Sequence, residues 1–368
     1  MGNIDKLIEN VIRQEVRDDA PYHVPESSGY IKLDAMENPY PLPIHLRAEL
    51  GRRLADAVLN RYPIPSYASL KHKICARLGV PKGYNVILGN GSDEIISMIA
   101  MATSGGGRRS VIMAPVPCFV MFQRSAMFAG ADFVGVPLRE DLTLDRDAML
   151  AAIEQHKPSV VFLAYPNNPT SNLFREADMV AIIRALGDTG IAVVDEAYGP
   201  FARTSFMHRL PEFENMVVMR TVSKLGLAGI RLGYMSAAPA LLEQFEKVRP
   251  PYNVNVLTQT AAEFALDNID VLNDQATRLI AAREQLTADL AALPGVTVFP
   301  SAANFLLVRV PDAAQACSKL LEDKVMVKNV SKMHALLANC IRVTVSTPEE
   351  NSAFLDAFKA SLLTEQRP

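Results

Sequence analysis

Lys224 closes the apolar run "MVVMRTVSK", with two hydroxyls, Thr221 and Ser223, just before it and Arg231 seven residues on. A lysine shielded from water where a strand ends has its charged form disfavoured, which leaves an amine suited to Schiff-base chemistry. Taken alone, a lysine is ordinarily a solvated surface charge. Its neighbours change the setting, because Thr221, Ser223 and Arg231 are donors suited to one phosphate. Three other apolar runs end in polar residues. "LGNGSDE" passes from strand through glycines to a helix start, where Ser92 and Asp93 can cap the helix and free N–H groups attract phosphate. A plain capped helix explains that stretch equally well. "VVDEAY" leaves Asp195 and Glu196 at the end of a buried run. Such a carboxylate needs a partner, either a protonated ring nitrogen of a ligand or an arginine in a structural ion pair. "YPNNPT" offers Asn167 and Asn168 before a proline, by itself a turn. Lys224, Asp195, Asn168 and the phosphate donors are together the parts that hold a phosphorylated pyridine aldehyde.

Residues at the ends of strands need a sheet to gather them. From about residue 85, short β-rich runs ("NVILGN", "SVIMAPV", "SVVFLAYP", "GIAVVDEAY", "MVVMRTVSK") alternate with helical ones ("SDEIISMIAMA", "FVMFQRSAMFAG", "READMVAIIRALGD"). Near-continuous Val, Ile and Leu strands between amphipathic helices predict a parallel sheet buried on both faces, an open α/β architecture. In such sheets ligands bind beyond the carboxyl ends of the strands, where these residues stand. Residues 20 to 65 are rich in proline and tyrosine, so extended, arm-like segments are expected there. After "RPPYN" a helical pattern runs from about Val256 to Leu293 with a break near "DNID", and "GVTVFPSAANFLLVRV" and "CIRVTVST" supply a second sheet. The expected division is residues 1–35 as an N-terminal arm and start of a small domain, 36–255 as a large domain, and 256–368 as a smaller α+β domain. Neither an internal repeat nor a low-complexity tract interrupts this pattern.

Composition excludes several classes. A chain of 368 residues that is 49% apolar and 21% charged can bury a sizeable core. Its formal net charge of -3, with no basic block, argues against nucleic acid and anionic membrane as partners. Cys75, Cys118, Cys317 and Cys340 form no C-x-x-C pair, so neither a metal site nor a disulfide framework is expected, and a cytoplasmic location fits. "MGNIDKLIENVIRQEV" reads as a short amphipathic helix without the apolar core of a signal peptide, and Lys6 stands where a myristoylation signal needs Ser or Thr. "LGNGSDE" is not G-x-G-x-x-G and gives a dinucleotide site no support.

In their order and separation, "PNNPT", "DEAY" and "SKLGLAGIRLGY" resemble the fold-type-I aminotransferases that use pyridoxal 5'-phosphate (PLP). "ENPYP", "NRYP", "GNGSDE", "RPPYN", "SAANFLLVR" and "CIRVTVSTPEE" narrow the resemblance to histidinol-phosphate aminotransferases, over about Tyr22 to Glu350. The resemblance implies a large domain with a mostly parallel open sheet wrapped by helices, plus a smaller α+β domain. It implies that Lys224 binds the cofactor and shuttles a proton, that Asp195 pairs with the pyridinium nitrogen, and that Asn168 and Tyr198 hydrogen-bond the ring's phenolic oxygen. Phe119 would stack on the ring, and Ser92, Asp93, Thr221, Ser223 and Arg231 would bind the phosphate. Tyr62 would reach that phosphate from a neighbouring subunit, which implies a homodimer with shared active sites. For small-molecule substrates, Arg342 would hold an α-carboxylate as a bidentate pair, Lys328 a substrate phosphate, and Tyr22 and Asn304 would line the rest.

The implied reaction is reversible amino transfer between L-histidinol phosphate and 2-oxoglutarate, giving imidazole acetol phosphate and L-glutamate, in histidine biosynthesis. An aromatic or broad-specificity aminotransferase and a phosphothreonine decarboxylase are the alternatives. A regulator that merely binds the cofactor is disfavoured, since little chain precedes "ENPYP" for a DNA-binding segment. Departures from the family pattern are Ser171 and Ser346, where many relatives have glycine, and a Lys224-to-Arg231 spacing one residue shorter than in many aminotransferases. Serine at a positive φ costs about 1 kcal/mol or more.

Overall fold

The computed structural model describes residues 3–105, 107 and 110–363; the Met-Gly start lies outside them. Helices α1 (Asn3–Val11) and α2 (Gln14–Arg17) form the N-terminal arm, and an irregular stretch leads to strand β1 (Ile31–Lys32). The expectation of extended chain through residue 65 fails at α3 (Ile44–Ala55). Prolines crowd only its entry, where Pro43 sits at the N-cap position, and "IHLRAELGRRLA" beyond it contains good helix formers. Helix α4 (Ala68–Arg77) follows.

The large sheet comprises β2 (Ile87–Asn90), β3 (Val111–Val116), β4 (Asp132–Pro137), β5 (Val160–Ala164), β6 (Ile191–Asp195), β7 (Met216–Thr221) and β8 (Leu232–Ala237), in the order β2-β8-β7-β6-β5-β3-β4. The pairs β4–β3–β5–β6–β7 are parallel, and β8 runs antiparallel between β7 and β2. Between strands run α5 (Gly91–Thr103), α6 (Val120–Ala129), α7 (Arg146–His156), α8 (Glu176–Leu186) and the short α9 (Gly199–Ala202), with α10 (Pro239–Glu246) after β8. The near-continuous apolar strands are explained by period-2 alternation into two cores. Val161 and Leu163 of β5 face one cluster with Ala192, Val194 and Val218, while Val160 and Phe162 face the other with Val193, Val217 and the α5 residues Ile95 and Ile96.

The helical run after "RPPYN" is α11 (Val256–Asp267) and α12 (Ile269–Ala291), divided at Asn268 as "DNID" suggests. Beyond it lies the second sheet, β12-β13-β10-β9, wholly antiparallel, built from β9 (Thr297–Val298), β10 (Phe305–Arg309), β12 (Lys328–Asn329) and β13 (Cys340–Thr344). Helices α13 (Ala313–Glu322) and α14 (Pro348–Leu363) cover it, and β11 (Val325–Met326) pairs in parallel with β1. The core of this part joins Phe305, Leu306, Ile341 and Val343 to Leu33, Met36 and Tyr198. Residues 31–36 therefore pack with the second sheet while lying against the mouth of the first.

Candidate active site

Strand ends bring the site together. Asp195 closes β6 opposite Ala164, the last residue of β5, and Thr221 closes β7 opposite Gly233. Gly233 is followed along the sheet by Gly89 of β2, whose chain turns directly into α5. A cavity of about 110 Å3 opens there, lined by Met36, Ser92, Asp93, Phe119, Ala164, Pro166, Asn168, Asp195, Ala197, Tyr198, Thr221, Ser223, Lys224 and Arg231. Ten of the residues singled out from sequence are in that wall.

Asp195 is 4% exposed. Its Oδ1 accepts from the Ala197 N–H at 3.0 Å, and among the described residues no cation is paired with it. Burial, with the nearby Asp93 and Glu196 carboxylates, pushes it up from 3.8 to about 7. Glu196 has the other fate, since Arg220 Nε donates to it at 2.9 Å in a buried ion pair. Lys224 is the second residue of the irregular turn Ser223–Leu227 after β7, and its Nζ donates to the Ala35 carbonyl at 2.9 Å. Burial first, then the guanidinium of Arg342, brings this amine down from 10.5 to about 8. Asn168 Nδ2 donates to Tyr198 Oη at 3.2 Å, while Arg342 Nη1 donates to Asn168 Oδ1 at 2.8 Å. Burial also pushes the Tyr198 phenol up.

The other end of the cavity is suited to an anion. Arg231 Nη1 reaches Ser223 Oγ and its Nη2 reaches Asp93 Oδ2, both at 3.4 Å. Thr221 Oγ1 donates to Ser223 Oγ at 2.9 Å. The seven-residue spacing is absorbed by the backbone: Gly226 takes φ 128, a 3-10 turn covers Ala228–Ile230, and Arg231 itself is left-handed at φ 51. The shortened turn thus still brings the guanidinium to the cavity wall. Gly91, at φ +76, makes room for it, because a Cβ there would lie 2.4 Å from Arg231 Nη2. Ser92 and Asp93 do not cap α5 as expected. Glu94 does, accepting the Asn90 N–H through Oε2 at 2.7 Å, and Asn253 of "RPPYN" braces the same oxygen at 2.7 Å. That leaves Ser92 and Asp93 inside the first turn, where N–H groups lack helical partners. Asp93 Oδ1 is buried without a partner.

Of the residues expected at the substrate side, Arg342 is buried, its Nη2 donating to the Asp34 carbonyl at 2.7 Å and its Nε left unpartnered. Lys328 stands directly opposite it in the β12–β13 register. Tyr22 is 60% exposed but lies within electrostatic reach of Arg342 and Tyr198. Asn304 does not line the cavity. Its Nδ2 donates to the Met36 carbonyl at 3.0 Å and so fixes a residue that does, held at φ 53. Tyr62 is 81% exposed and stacks on Tyr252 at 4.6 Å, away from this chain's cavity. Ser171 has φ 62, the conformation that favours glycine, whereas Ser346 is not among the positive-φ residues. The sequence reading missed Met36, Glu94 and the Ala35 carbonyl. Glu94 was readable as the residue that reaches back to cap its own helix.

The residue set fits a PLP-type ligand on two observations. A buried carboxylate without a cation among the described residues calls for a protonated ring nitrogen, and a guanidinium held by Asp93 beside a helix start and two hydroxyls is placed to take a phosphate. Residues 28–358 match the aminotransferase class I and II family. The chain belongs to that family. It is 62% identical over 359 residues to histidinol-phosphate aminotransferase 2 of Cupriavidus pinatubonensis, covering 97% of this chain and 98% of that one. It is 60% identical to histidinol-phosphate aminotransferase 1 of Ralstonia nicotianae, over 98% and 96% of the two chains. In fold it is similar to the histidinol-phosphate aminotransferase of Sinorhizobium meliloti solved with pyridoxal-5'-phosphate, at TM-score 0.85 and 23% identity over 96% of this chain and 98% of that one. As an aminotransferase of this family the chain uses PLP, and the fold is the fold-type-I architecture expected from sequence.

Proposed function

We propose that this aminotransferase moves the amino group between L-histidinol phosphate and 2-oxoglutarate, giving imidazole acetol phosphate and L-glutamate, in histidine biosynthesis. The observation that carries the reading is one cavity holding an amine lowered to about 8 and an unpaired buried carboxylate beside an anion cradle. The relatives' names give the substrate. When bound, PLP supplies a protonated pyridine ring that takes up the electron pair left when the substrate's α-C–H bond breaks. Asp195 would keep the ring nitrogen protonated, Asn168 and Tyr198 would hold the phenolic oxygen, and Phe119 would cover the ring face. Ser92, Asp93, Thr221, Ser223 and Arg231 grip the phosphate. Lys224 would be the covalent anchor for PLP, and its Nζ, lowered to about 8, would take the substrate's α-proton and return it as a base of matched strength near neutral pH.

Arg342 and Lys328 serve the substrate's anionic end. L-Histidinol phosphate carries its phosphate on the side of the amino carbon where glutamate carries its α-carboxylate, so two cations facing each other across β12 and β13 suit both donors in turn. Tyr22, and Asn304 through Met36, complete that side. Exposed apolar residues around the Tyr62–Tyr252 stack, among them Leu59, Ile64 and Leu257, support a homodimer in which Tyr62 enters the partner's cavity at the phosphate. The division keeps residues 36–255 as the large domain, with 1–35 and 256–368 forming the arm and the small domain; the second core of Leu33, Phe305 and Ile341 supports the small domain, while Ala262, Ala265 and Leu266 of α11 pack into the large-sheet core. A cytoplasmic location accords with the pathway, and among the described residues no helix is long and apolar enough to cross a membrane.

The test compares kcat/KM for histidinol phosphate, phenylalanine and tyrosine as donors, and follows pyridoxamine phosphate absorbance in the half-reaction. Histidinol phosphate should lead, since its dianionic phosphate can engage both Arg342 and Lys328, whereas phenylalanine and tyrosine offer a single α-carboxylate. Equal or better phosphate-free donors would refute the substrate, and carbon dioxide release from phosphothreonine without pyridoxamine phosphate would replace transamination by decarboxylation. Lys224→Ala should abolish turnover together with borohydride-stable attachment of the cofactor.

A further inference from the structure

Helix α6 touches the active site at one end and the N-terminal arm at the other. Phe119, at its N-cap position, lines the cavity. At its C-terminus Arg13 of the arm donates through Nη2 to the Phe128 carbonyl at 2.8 Å and through Nη1 to the Met127 carbonyl at 3.4 Å. The Met127 carbonyl already accepts the Gly130 N–H at 3.1 Å, and Arg13 adds a cation at this helix end, where one is favoured. Six residues after Arg13, Asp19 Oδ2 accepts from Arg124 Nη2 at 2.6 Å, and the same nitrogen donates to the Ala20 carbonyl at 3.0 Å. The Arg124 and Asp19 side chains are 18% and 29% exposed, and Arg124 Nε is buried without a partner. This guanidinium is already largely out of water, so the pair is unlike the exposed ion pairs that contribute little.

The attachment is polar rather than apolar. Ile4, Leu7, Ile8, Val11, Ile12 and Val16 of the arm are all exposed, and a gap lined by Arg13, Asp19, Gln123 and Arg124 lies between arm and helix. Two residues past Ala20 stands Tyr22, and two residues of chain span at most about 7 Å. The segment's far end is fixed where β1 pairs with β11 from Ile31. Residues 21–30 are therefore a loop pinned at both ends, and the pin nearer Tyr22 is Arg124.

We propose that Arg124 and Asp19, backed by Arg13, form a clasp that positions Tyr22 over the substrate side of the cavity. Arg124 is a positioning residue: it touches neither cofactor nor substrate and acts through the arm. The proposal rests on the reading that Tyr22 meets the substrate. Opening the clasp lowers the fraction of molecules whose arm is docked, and apparent affinity falls by that fraction, while saturating substrate draws the arm back. A docked fraction of about one tenth raises KM about tenfold at unchanged kcat.

The experiment compares holoenzyme carrying Asp19→Asn, Arg124→Gln, both together, or Arg124→Lys. It measures KM and kcat with whichever amino donor the unaltered enzyme accepts, cofactor absorbance, and the rate of tryptic cleavage after Arg17 without substrate. Each single change to a neutral side chain should raise KM about tenfold and speed cleavage similarly, with kcat within about twofold and absorbance unchanged. The double variant should be no worse than either single one, and Arg124→Lys should recover most of the loss. Unchanged KM, additive effects, or a fall in kcat with lost cofactor absorbance would overturn the clasp, the last by showing that Arg124 acts through α6 and Phe119. Cleavage needs no substrate, so faster cleavage in an enzyme that ignores histidinol phosphate refutes the substrate reading alone. Cleavage at the unaltered rate in an enzyme that uses it refutes the clasp alone.

Discussion

Asp195→Asn should stabilise the cofactor-free protein while crippling the loaded enzyme, and both effects follow from one carboxylate. The group is raised from 3.8 to about 7, chiefly by burial, with Asp93 and Glu196 adding to it and the Ala197 N–H opposing. A raised folded value means that ionisation inside the fold is costly. The favourable contribution is complete below pH 3.8, is lost as pH rises through the window to about 7, and leaves the full cost above it. At 1.36 kcal/mol per pH unit the interval corresponds to about 4 kcal/mol, of which water at the cavity mouth screens a part, so that about 2 kcal/mol remains at pH 8. An asparagine keeps the bond from Ala197, since its amide oxygen accepts it, and carries no charge.

Unfolding entropy of about 2.1 cal/mol/K per residue gives about 0.8 kcal/mol/K for this chain, so the apo variant should melt about 2–3 °C higher at pH 8. At pH 5 the gain should shrink to about a third of that, because most of the folded-state carboxyl is already protonated. With PLP bound the sign reverses: the amide cannot neutralise a protonated ring nitrogen, PLP binding weakens, and kcat falls on the order of 10^3-fold. Scanning calorimetry of apo and loaded forms at the two pH values reads both effects. An apo variant no more stable than the parent at pH 8, or equally stabilised at pH 5, would show that Asp195 has a counter-charge after all and would refute the reasoning.

Gly91→Ala places a methyl 2.4 Å from Arg231 Nη2 at a backbone φ of +76. The expected result is a loss of about 1 kcal/mol in stability and at least a tenfold weaker PLP affinity at unchanged absorbance of the bound form, measured by cofactor titration. Arg220→Ala leaves Glu196 buried and unpaired behind the site, so it should cost about 3 kcal/mol and lower the melting point by about 4 °C.

What the sequence made legible were features written in local chemistry. The two-faced burial of β5 and β6 appears as unbroken apolar runs, and a polar residue ending such a run has few places to stand but the carboxyl edge of the sheet. Asp195, Thr221, Ser223 and Lys224 were therefore readable as site residues before any partner was visible. Less legible were residues whose part depends on contact between distant segments. Met36 is held in the cavity wall by Asn304 at its carbonyl and Thr344 at its N–H, and Arg124 meets Asp19 across 105 positions of sequence. Nothing in "QRSAM" distinguishes that arginine from a solvated one. Glycine rules were half informative for the same reason: Ser171 does sit at a positive φ, but Ser346 does not, since an Asn351 side chain accepting its N–H fixes that turn instead. Strand-end chemistry is specified by neighbours in sequence and tolerates little drift in register. The arm and the substrate side are specified by pairings among remote residues, each replaceable by another polar pair. Differences in substrate preference within the family should accordingly arise around Tyr22, Lys328 and the clasp, while Lys224, Asp195 and the phosphate cradle stay the same.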